Sequence, residues 1–334
     1  MDLVEARSWS AVVSTKPFAS SADLAPKHEV LEHLADGVVA LTAEGDPNVG
    51  AIATSEGLVC VEARATPVAA RRWLERLHGV LDGPVSYLVL SHYHAVRVLG
   101  ASAFDAGAIV AHTATAELIE ERGAEDWASE QARMPRLFEE PASIPGLTRP
   151  TLTFADELRL GRGGGRGDIW LWWLGRGHTR GDIVVWLPRE RVLFAGDLVE
   201  ARAALYTGDA YHREWSGPTL DAIADLGAEV LVGGRGAVVR GREAVAAAIA
   251  QSRRFLQVLI DESSRALDAG GGLREAFGAC YEALAPTYGS WPIFEHTIPF
   301  DVARVVEELQ GVEHPTIWTT ERDRAVWDEL QGSR

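Results

Sequence analysis

The chain has 334 residues, 47% hydrophobic and 24% charged, with a formal net charge of -16. This is a globular composition, long enough for one large domain or a core with an appendage, and the acidic excess argues against nucleic acid and anionic membrane surfaces as partners. Two cysteines far apart, Cys60 and Cys280, exclude a disulfide framework and a cysteine-rich metal site.

The N-terminal Met1-Asp2-Leu3-Val4-Glu5 is acidic where a signal peptide is basic, and no apolar run approaches the roughly 20 residues of a membrane span. The expectation is a soluble, cytoplasmic protein. Residues 1–28 lack periodicity and read as an arm. From Glu29 the pattern becomes short strands, at 37–41, 48–54 and 57–62, with Ser55-Glu56-Gly57 suited to a hairpin turn. Residues 66–81 switch to helical spacing, with Val68, Trp73, Leu74, Leu77 and Val80 on one face. Thr66 and Pro67 fit an N-cap and a first-turn proline.

An apolar strand at 85–90 follows Gly83 and Pro84 and ends abruptly in Ser91-His92-Tyr93-His94. Two imidazoles one residue apart, on a turn leaving a buried strand, can aim at one point outside the sheet. That pair alone is a weak signal. A strand at 108–111 and a helix at 113–123 come next. Residues 124–150, with several prolines, read as a loop or helical insert over one end of the core.

Strands resume at 157–160, and the glycine- and arginine-rich stretch 161–167 reads as a hairpin tip, because no phosphate-loop context surrounds it. The strand at 169–174 runs into Gly177-His178-Thr179. The strand at 182–187 ends at Pro188, that at 192–197 ends in Gly196-Asp197, and that at 229–232 ends in Gly233-Gly234-Arg235-Gly236. Ionisable residues beside glycine at strand ends are how sites are built on one rim of a core. From 241 onward the texture is helical, at 243–267, 273–284, 300–309 and 320–330. This tail reads as a cap that shapes a pocket or as a homodimerisation element. The division expected is an arm (1–28), a main domain (29–245) and a helical extension (246–334).

His92, His94, His178 and Asp197 form a plausible ligand set for a catalytic zinc or related ion. Their order and strand context, with Asp46-Pro47-Asn48-Val49-Gly50 before them and Gly233-Gly234-Arg235-Gly236 after, resemble the metallo-β-lactamase superfamily over about residues 30–245. The resemblance implies an α/β fold, a four-layer αββα sandwich with the metal site at one edge of its two sheets. The family pattern H-X-H-X-D-H reads here His92-Tyr93-His94-Ala95-Val96-Arg97, and the late G-H-G position is Arg235. By resemblance His92, His94 and His178 match the first metal's ligands, and Asp197 matches the carboxylate that bridges two metals. The second metal's own ligands are replaced by Val96, Arg97 and Arg235.

Valine cannot ligate, and arginine is a fixed cation with no lone pair to donate. The expectation is therefore one zinc per chain, with Asp197 as fourth ligand or arginine partner. A bound ion acidifies its water and polarises a carbonyl. The favoured function is a hydrolase whose ion-activated water attacks an ester, thioester or amide carbonyl. Asp182 can orient His178, and Arg97 or Arg235 can hold an anionic group of a small-molecule substrate or an oxyanion. Two alternatives share these residues. One is a mononuclear iron oxygenase similar to the persulfide dioxygenases, using His92, His178 and Asp197. The other is a ligand-binding member without turnover. Tyr206, Asp209, Tyr211 and His212 follow on a loop near the site. Tyr211 and His212 are candidate substrate contacts, and His212 a candidate extra ligand, against the plainer reading of ordinary loop residues. His296, in an aromatic stretch, is a candidate contribution of the cap, and the plainer reading there is packing.

Overall fold

The computed structural model describes residues 16–164 and 167–331. The first 15 residues of the expected arm, and the tip of the 161–167 turn, lie outside them. One sheet contains β1 (Val30–Ala35), β2 (Val38–Thr42), β3 (Val49–Thr54), β4 (Gly57–Val61), β5 (Val85–Val89), β6 (Ala108–His112) and β7 (Leu152–Phe154), side by side in chain order. Neighbours are antiparallel through β4, joined by tight turns at β1–β2 and β3–β4 and by the 43–48 loop at β2–β3, and parallel from β4 to β7. The parallel pairs need crossovers, and α1 (Pro67–His78), α2 (Ala95–Val98) and α3 (Thr113–Arg133) lie in them. Thr66 caps α1 by accepting from the Ala69 amide at 3.2 Å.

The second sheet holds β8 (Glu157–Gly161), β9 (Asp168–Trp172), β10 (Val184–Leu187), β11 (Val192–Gly196), β12 (Val230–Gly233) and β13 (Val239–Arg240), in reverse spatial order. Short turns α4 (His212–Glu214) and α5 (Leu220–Asp225) fall between β11 and β12. Four longer helices close the chain: α6 (Arg242–Asp268), α7 (Leu273–Tyr288), α8 (Phe294–Leu309) and α9 (Thr320–Gln331).

Side chains alternate across each strand, and this sorts the core into layers. Val39, Leu41, Leu58, Cys60 and Leu88 face Trp73 and Leu77 of α1. Val38, Ala40, Ile52, Val59 and Val89 face the opposite sheet, against Ile169, Leu171, Val185 and Phe194. Val184, Trp186, Leu193 and Ala195 face Phe255, Leu259, Ile298 and Val302 on the C-terminal helices. The result is an αββα sandwich. The C-terminal helices share a core with β10–β12, so they are built onto the sandwich rather than appended to it. The expected 245/246 boundary falls inside α6, three residues past its start.

Two helices differ from expectation for physical reasons. The spacing predicts a helix ending near Gly123, but α3 runs to Arg133. Its second half buries Asp126, Ser129, Glu130 and Arg133 at helical spacing, so the inward face is polar and leaves no hydrophobic period to detect. Pro299 predicts a helix beginning at Phe300, but α8 starts at Phe294 and carries that proline inside. The described part of the arm packs on the cap, with Phe18 among Phe300, Trp318 and Trp327. No helix among the described residues is long and apolar enough to cross a membrane.

Candidate metal centre

Strand β5 delivers His92 and His94 at its end, and α2 starts immediately after them. A helix this short cannot satisfy its own first amides. Here Asp126 accepts from the Ala95 amide at 2.7 Å and Glu130 from the Val96 amide at 2.8 Å. These two acids of α3 fix the turn and aim Arg97 inward, where it is fully buried. The loop between β9 and β10 brings His178 to the same place.

The three imidazole centroids lie 4.6 to 4.9 Å apart, near edge-on to one another. One nitrogen from each can be chosen so that all lie within 4.8 Å of one another. The remaining nitrogen of each ring has its own partner. His92 Nδ1 meets Ser91 Oγ at 2.8 Å, His94 Nε2 meets Asp209 Oδ2 at 3.2 Å, and His178 Nδ1 lies 3.4 Å from Asp182 Oδ1. Asp182 is held in turn by the Thr179 amide at 2.5 Å, and Asp209 by Arg122 at 3.2 Å. His92 Nε2 and His178 Nε2 are buried with no hydrogen-bond partner. Native interiors rarely leave such atoms unmet, and outer partners that orient imidazoles are the usual support of a metal site. The residues fit a metal ion. Burial, helped by the neighbouring histidines and Arg97, holds His92 well below the usual imidazole range, in the neutral form that can ligate. For His178 burial pulls the same way, but the Asp182 hydrogen bond and the Asp197 charge outweigh it and hold the ring above that range.

Asp197 stands at the end of β11, with Oδ2 3.9 Å from both His92 Nε2 and His178 Nε2. Arg235 Nη1 donates to Oδ2 at 2.9 Å, and Arg97 Nη2 donates to Oδ1. Burial would raise this carboxyl, but the two guanidiniums outweigh it and hold it well below the usual range. The loop after β12 approaches so closely that a Cβ at Gly234 would collide with Asp197 Oδ1 and Arg97 Nη2. Asn48 staples that loop, donating to the Gly233 and Gly236 carbonyls at 3.0 and 2.8 Å. Beside the cluster, burial pushes Glu62 and Glu200 up to about 7. Glu62 accepts the Ser91 amide at 3.1 Å, and Glu200 lies 3.3 Å from Arg235 Nη1.

The structure therefore gathers His92, His94, His178, Asp182, Asp197, Arg97 and Arg235 at one rim. It does not bring Tyr211 or His212 to that point. His212 spends both ring nitrogens, on Glu308 at 2.8 Å and Thr207 at 2.9 Å, so the extra-ligand and substrate-contact readings are corrected to a structural one. Tyr211 lies between Arg176 and Arg304, 4.3 and 5.9 Å from its ring centre, and packs there. Asp209 and Tyr206, from the same loop, are the ones that reach the histidines, Tyr206 with its ring 5.6 Å from that of His94. The sequence places all four on one loop near the site and does not separate these two from Tyr211 and His212. Glu62, Glu200, Arg122 and Arg133 carried no signal at all. Burial also pushes the thiols of Cys60 and Cys280 up to about 12, which leaves neither as a nucleophile. Beside His94 and Asp197, the end of α3 and the start of α8 line a cavity of about 10 Å³, space for about one water.

Several solved structures share this fold. A metallo-beta-lactamase from Pontibacter korlensis superposes with a TM-score of 0.54 at 20% identity, covering 68% of this chain and 99% of that one. The DIM-1 metallo-beta-lactamase gives 0.51 at 18%, covering 70% and 99%. VMB-1 gives 0.50 at 18%, covering 68% and 98%. At such identities the likeness concerns the fold alone. Among curated proteins no sequence match was found. The sequence description of the metallo-beta-lactamase superfamily matches residues 43–235, the stretch from the β2–β3 loop to the arginine that holds Asp197. The chain belongs to the metallo-beta-lactamase superfamily.

Proposed function

We propose that the chain is a metal-dependent hydrolase that works with a single zinc ion held by His92, His94 and His178. The observation that carries this reading is the pair of buried, unpartnered Nε2 atoms on His92 and His178, beside a His94 already oriented by Asp209. A zinc ion at that point supplies Lewis acidity and an acidified water. The chain's own groups do the rest. Asp209, Ser91 and Asp182 fix the three rings. Arg97 and Arg235 keep Asp197 anionic, with Oδ2 turned toward the histidines as a proton acceptor or fourth ligand. Arg235 Nε has no hydrogen-bond partner and is a candidate donor to charge developing on an ester, thioester or amide oxygen.

The iron-oxygenase alternative would use His92, His178 and Asp197. His94 lies as close to the other rings as they do to each other, and both Asp197 oxygens already bind arginine. Both facts favour three histidines. The test is metal per chain in purified, unsupplemented protein, for wild type and His178→Ala, with ester and thioester substrates assayed alongside. About one zinc, lost in the variant, supports the reading. About one iron shifts it to oxygen chemistry. Two ions per chain overturn the single-ion site, and no metal even after reconstitution leaves a binding protein.

A further inference from the structure

We propose that Asp301 and Trp318, from the C-terminal helical part of the chain, are positioning residues of the metal centre: they hold the backbone beside Asp209 so that its carboxylate meets His94 and fixes the tautomer of that ring. This rests on the single-ion reading for what His94 ligates, while the tautomer itself can be read without an ion.

The C-terminal helices border the site in two places. At the first, the turn before α8 walls an outer groove of about 270 Å³, and Met134 and Ile293 line both that groove and the small cavity beside His94. At the second they grip the loop between β11 and α4. Asp301 of α8 accepts the Thr207 amide at 2.6 Å, and Trp318 Nε1 donates to the Gly208 carbonyl at 2.9 Å. Past Asp209, Arg304 Nε donates to the Ala210 carbonyl at 2.8 Å, and Glu308 accepts the His212 amide at 2.8 Å. Arg122, which holds the Asp209 carboxylate, also donates to the Pro315 carbonyl at 3.1 Å. Asp301 and Arg304 are fully buried.

A loop has few backbone partners of its own, and fixing it costs conformational entropy that outside contacts must offset. Within this one the Ala210 amide closes on the Thr207 carbonyl at 3.0 Å, a turn that leaves the Thr207 amide and the Gly208 and Ala210 carbonyls to the C-terminal residues. The fit is close, because a Cβ at Gly208 would stand 2.8 Å from Trp318 Nε1. The contact that depends on it is sensitive. Asp209 meets His94 at 3.2 Å, the long end of the hydrogen-bond range, so a small outward shift of the loop breaks it. The family match ends at Arg235, and Asp301, Arg304, Glu308 and Trp318 all lie beyond it. The sandwich supplies the three histidines, and the C-terminal helices supply the support of one of them.

The test uses the full chain and two measurements: zinc affinity by competition with a chromogenic chelator, and the His94 tautomer in metal-free protein by NMR of isotopically labelled histidine. Trp318→Phe keeps a ring to meet Phe300, now edge-on at 5.2 Å, and removes the N–H. It should weaken zinc about three- to tenfold, part of the loss expected for removing an outer partner outright, and turn a single His94 tautomer into a mixture. Asp301→Ala should do the same. Asp301→Asn should keep wild-type values, because burial holds the Asp301 carboxyl well above the usual range, in a neutral form that an amide reproduces. In an Asp209→Asn background neither Trp318→Phe nor Asp301→Ala should weaken zinc further, since the effect runs through that carboxylate. Equal losses in the two backgrounds, or unchanged affinity and tautomer in folded Trp318→Phe, would overturn the positioning role and leave these residues as packing. If Asp301→Ala does not fold, Trp318→Phe carries the test alone. A wild type that takes up no zinc fails the single-ion reading, and the tautomer measurement then decides the positioning role by itself.

Discussion

Asp209→Asn tests how the site makes a ligand of His94. In the wild type the Asp209 carboxylate sits 3.2 Å from His94 Nε2 and accepts its proton, so Nδ1 keeps its lone pair for the ion. Burial opposes this carboxylate, but the His94 hydrogen bond and Arg122 outweigh it and hold it below the usual range, so it stays charged. Asparagine keeps the shape and loses the charge. It can also turn its amide toward the ring, which would move the imidazole proton to the metal side. Removing one such outer partner costs about 10- to 100-fold in metal affinity, or roughly 1.4 to 2.7 kcal/mol. Arg122, 2% exposed, loses its buried charged partner at the same time and keeps Glu121 at 3.1 Å, so a modest fall in stability should accompany it. The assay is zinc affinity by competition with a chromogenic chelator, at fixed pH, with folding checked by circular dichroism. Asp182→Asn, which acts on His178 through a longer 3.4 Å contact, should cost less. Wild-type affinity in folded Asp209→Asn would refute the argument that this acid sets the tautomer.

Two further predictions follow from the same geometry. Glu62 is raised from 4.5 to about 7 by burial, so between those values the folded protein holds a proton that the unfolded chain has released, and stability falls as pH rises through the window. The loss is on the order of 3 kcal/mol for the metal-free protein, and Glu62→Gln, which can still accept the Ser91 amide, should remove that part of the slope in denaturant titrations from pH 4 to 8. Ile293 is a β-branched residue at φ 59°, between the outer groove and the cavity. Ile293→Gly relieves a left-handed strain of about 1–2 kcal/mol and opens that partition, so zinc should leave to excess chelator faster, and an unchanged rate would show that access lies elsewhere.

The sandwich was legible because its strands are apolar and bounded by glycine and proline, and because the chemistry stands at their ends. His92, His94, His178 and Asp197 each follow a run of valines, leucines or tryptophans, which is the pattern periodicity detects. What escaped was the polar interior. Arg122, Asp126, Glu130 and Arg133 recur at helical spacing along α3, and each meets a specific partner rather than an apolar surface. Burial of charge is decided by partners 31, 34 and 87 residues away in the chain for Asp126, Glu130 and Arg122, and a single sequence does not show pairs. The same blindness exchanged Asp209 for His212, since both sit on one loop and only the fold reveals that His212 is already satisfied by Thr207 and Glu308.

The pairing of Arg97 and Arg235 with Asp197 has a consequence for stability. Two guanidiniums carry the same total charge as one divalent ion, and each meets one oxygen of Asp197. Unlike an ion they cannot be removed by a chelator, so the Asp197 carboxylate keeps its neutralising partners in the metal-free chain. Chelation should therefore leave the fold standing, with a loss limited to the linkage of one bound ion. Asp197→Ala should do the opposite. It leaves Arg97, fully buried, and Arg235 with no shared anion, and breaking one side of such a buried arrangement costs about 3–5 kcal/mol. Guanidinium chloride unfolding of the wild type with and without chelator, beside the Asp197→Ala variant, separates the two. A chelated wild type that unfolds as readily as Asp197→Ala would mean that the ion, not the arginines, holds this rim together.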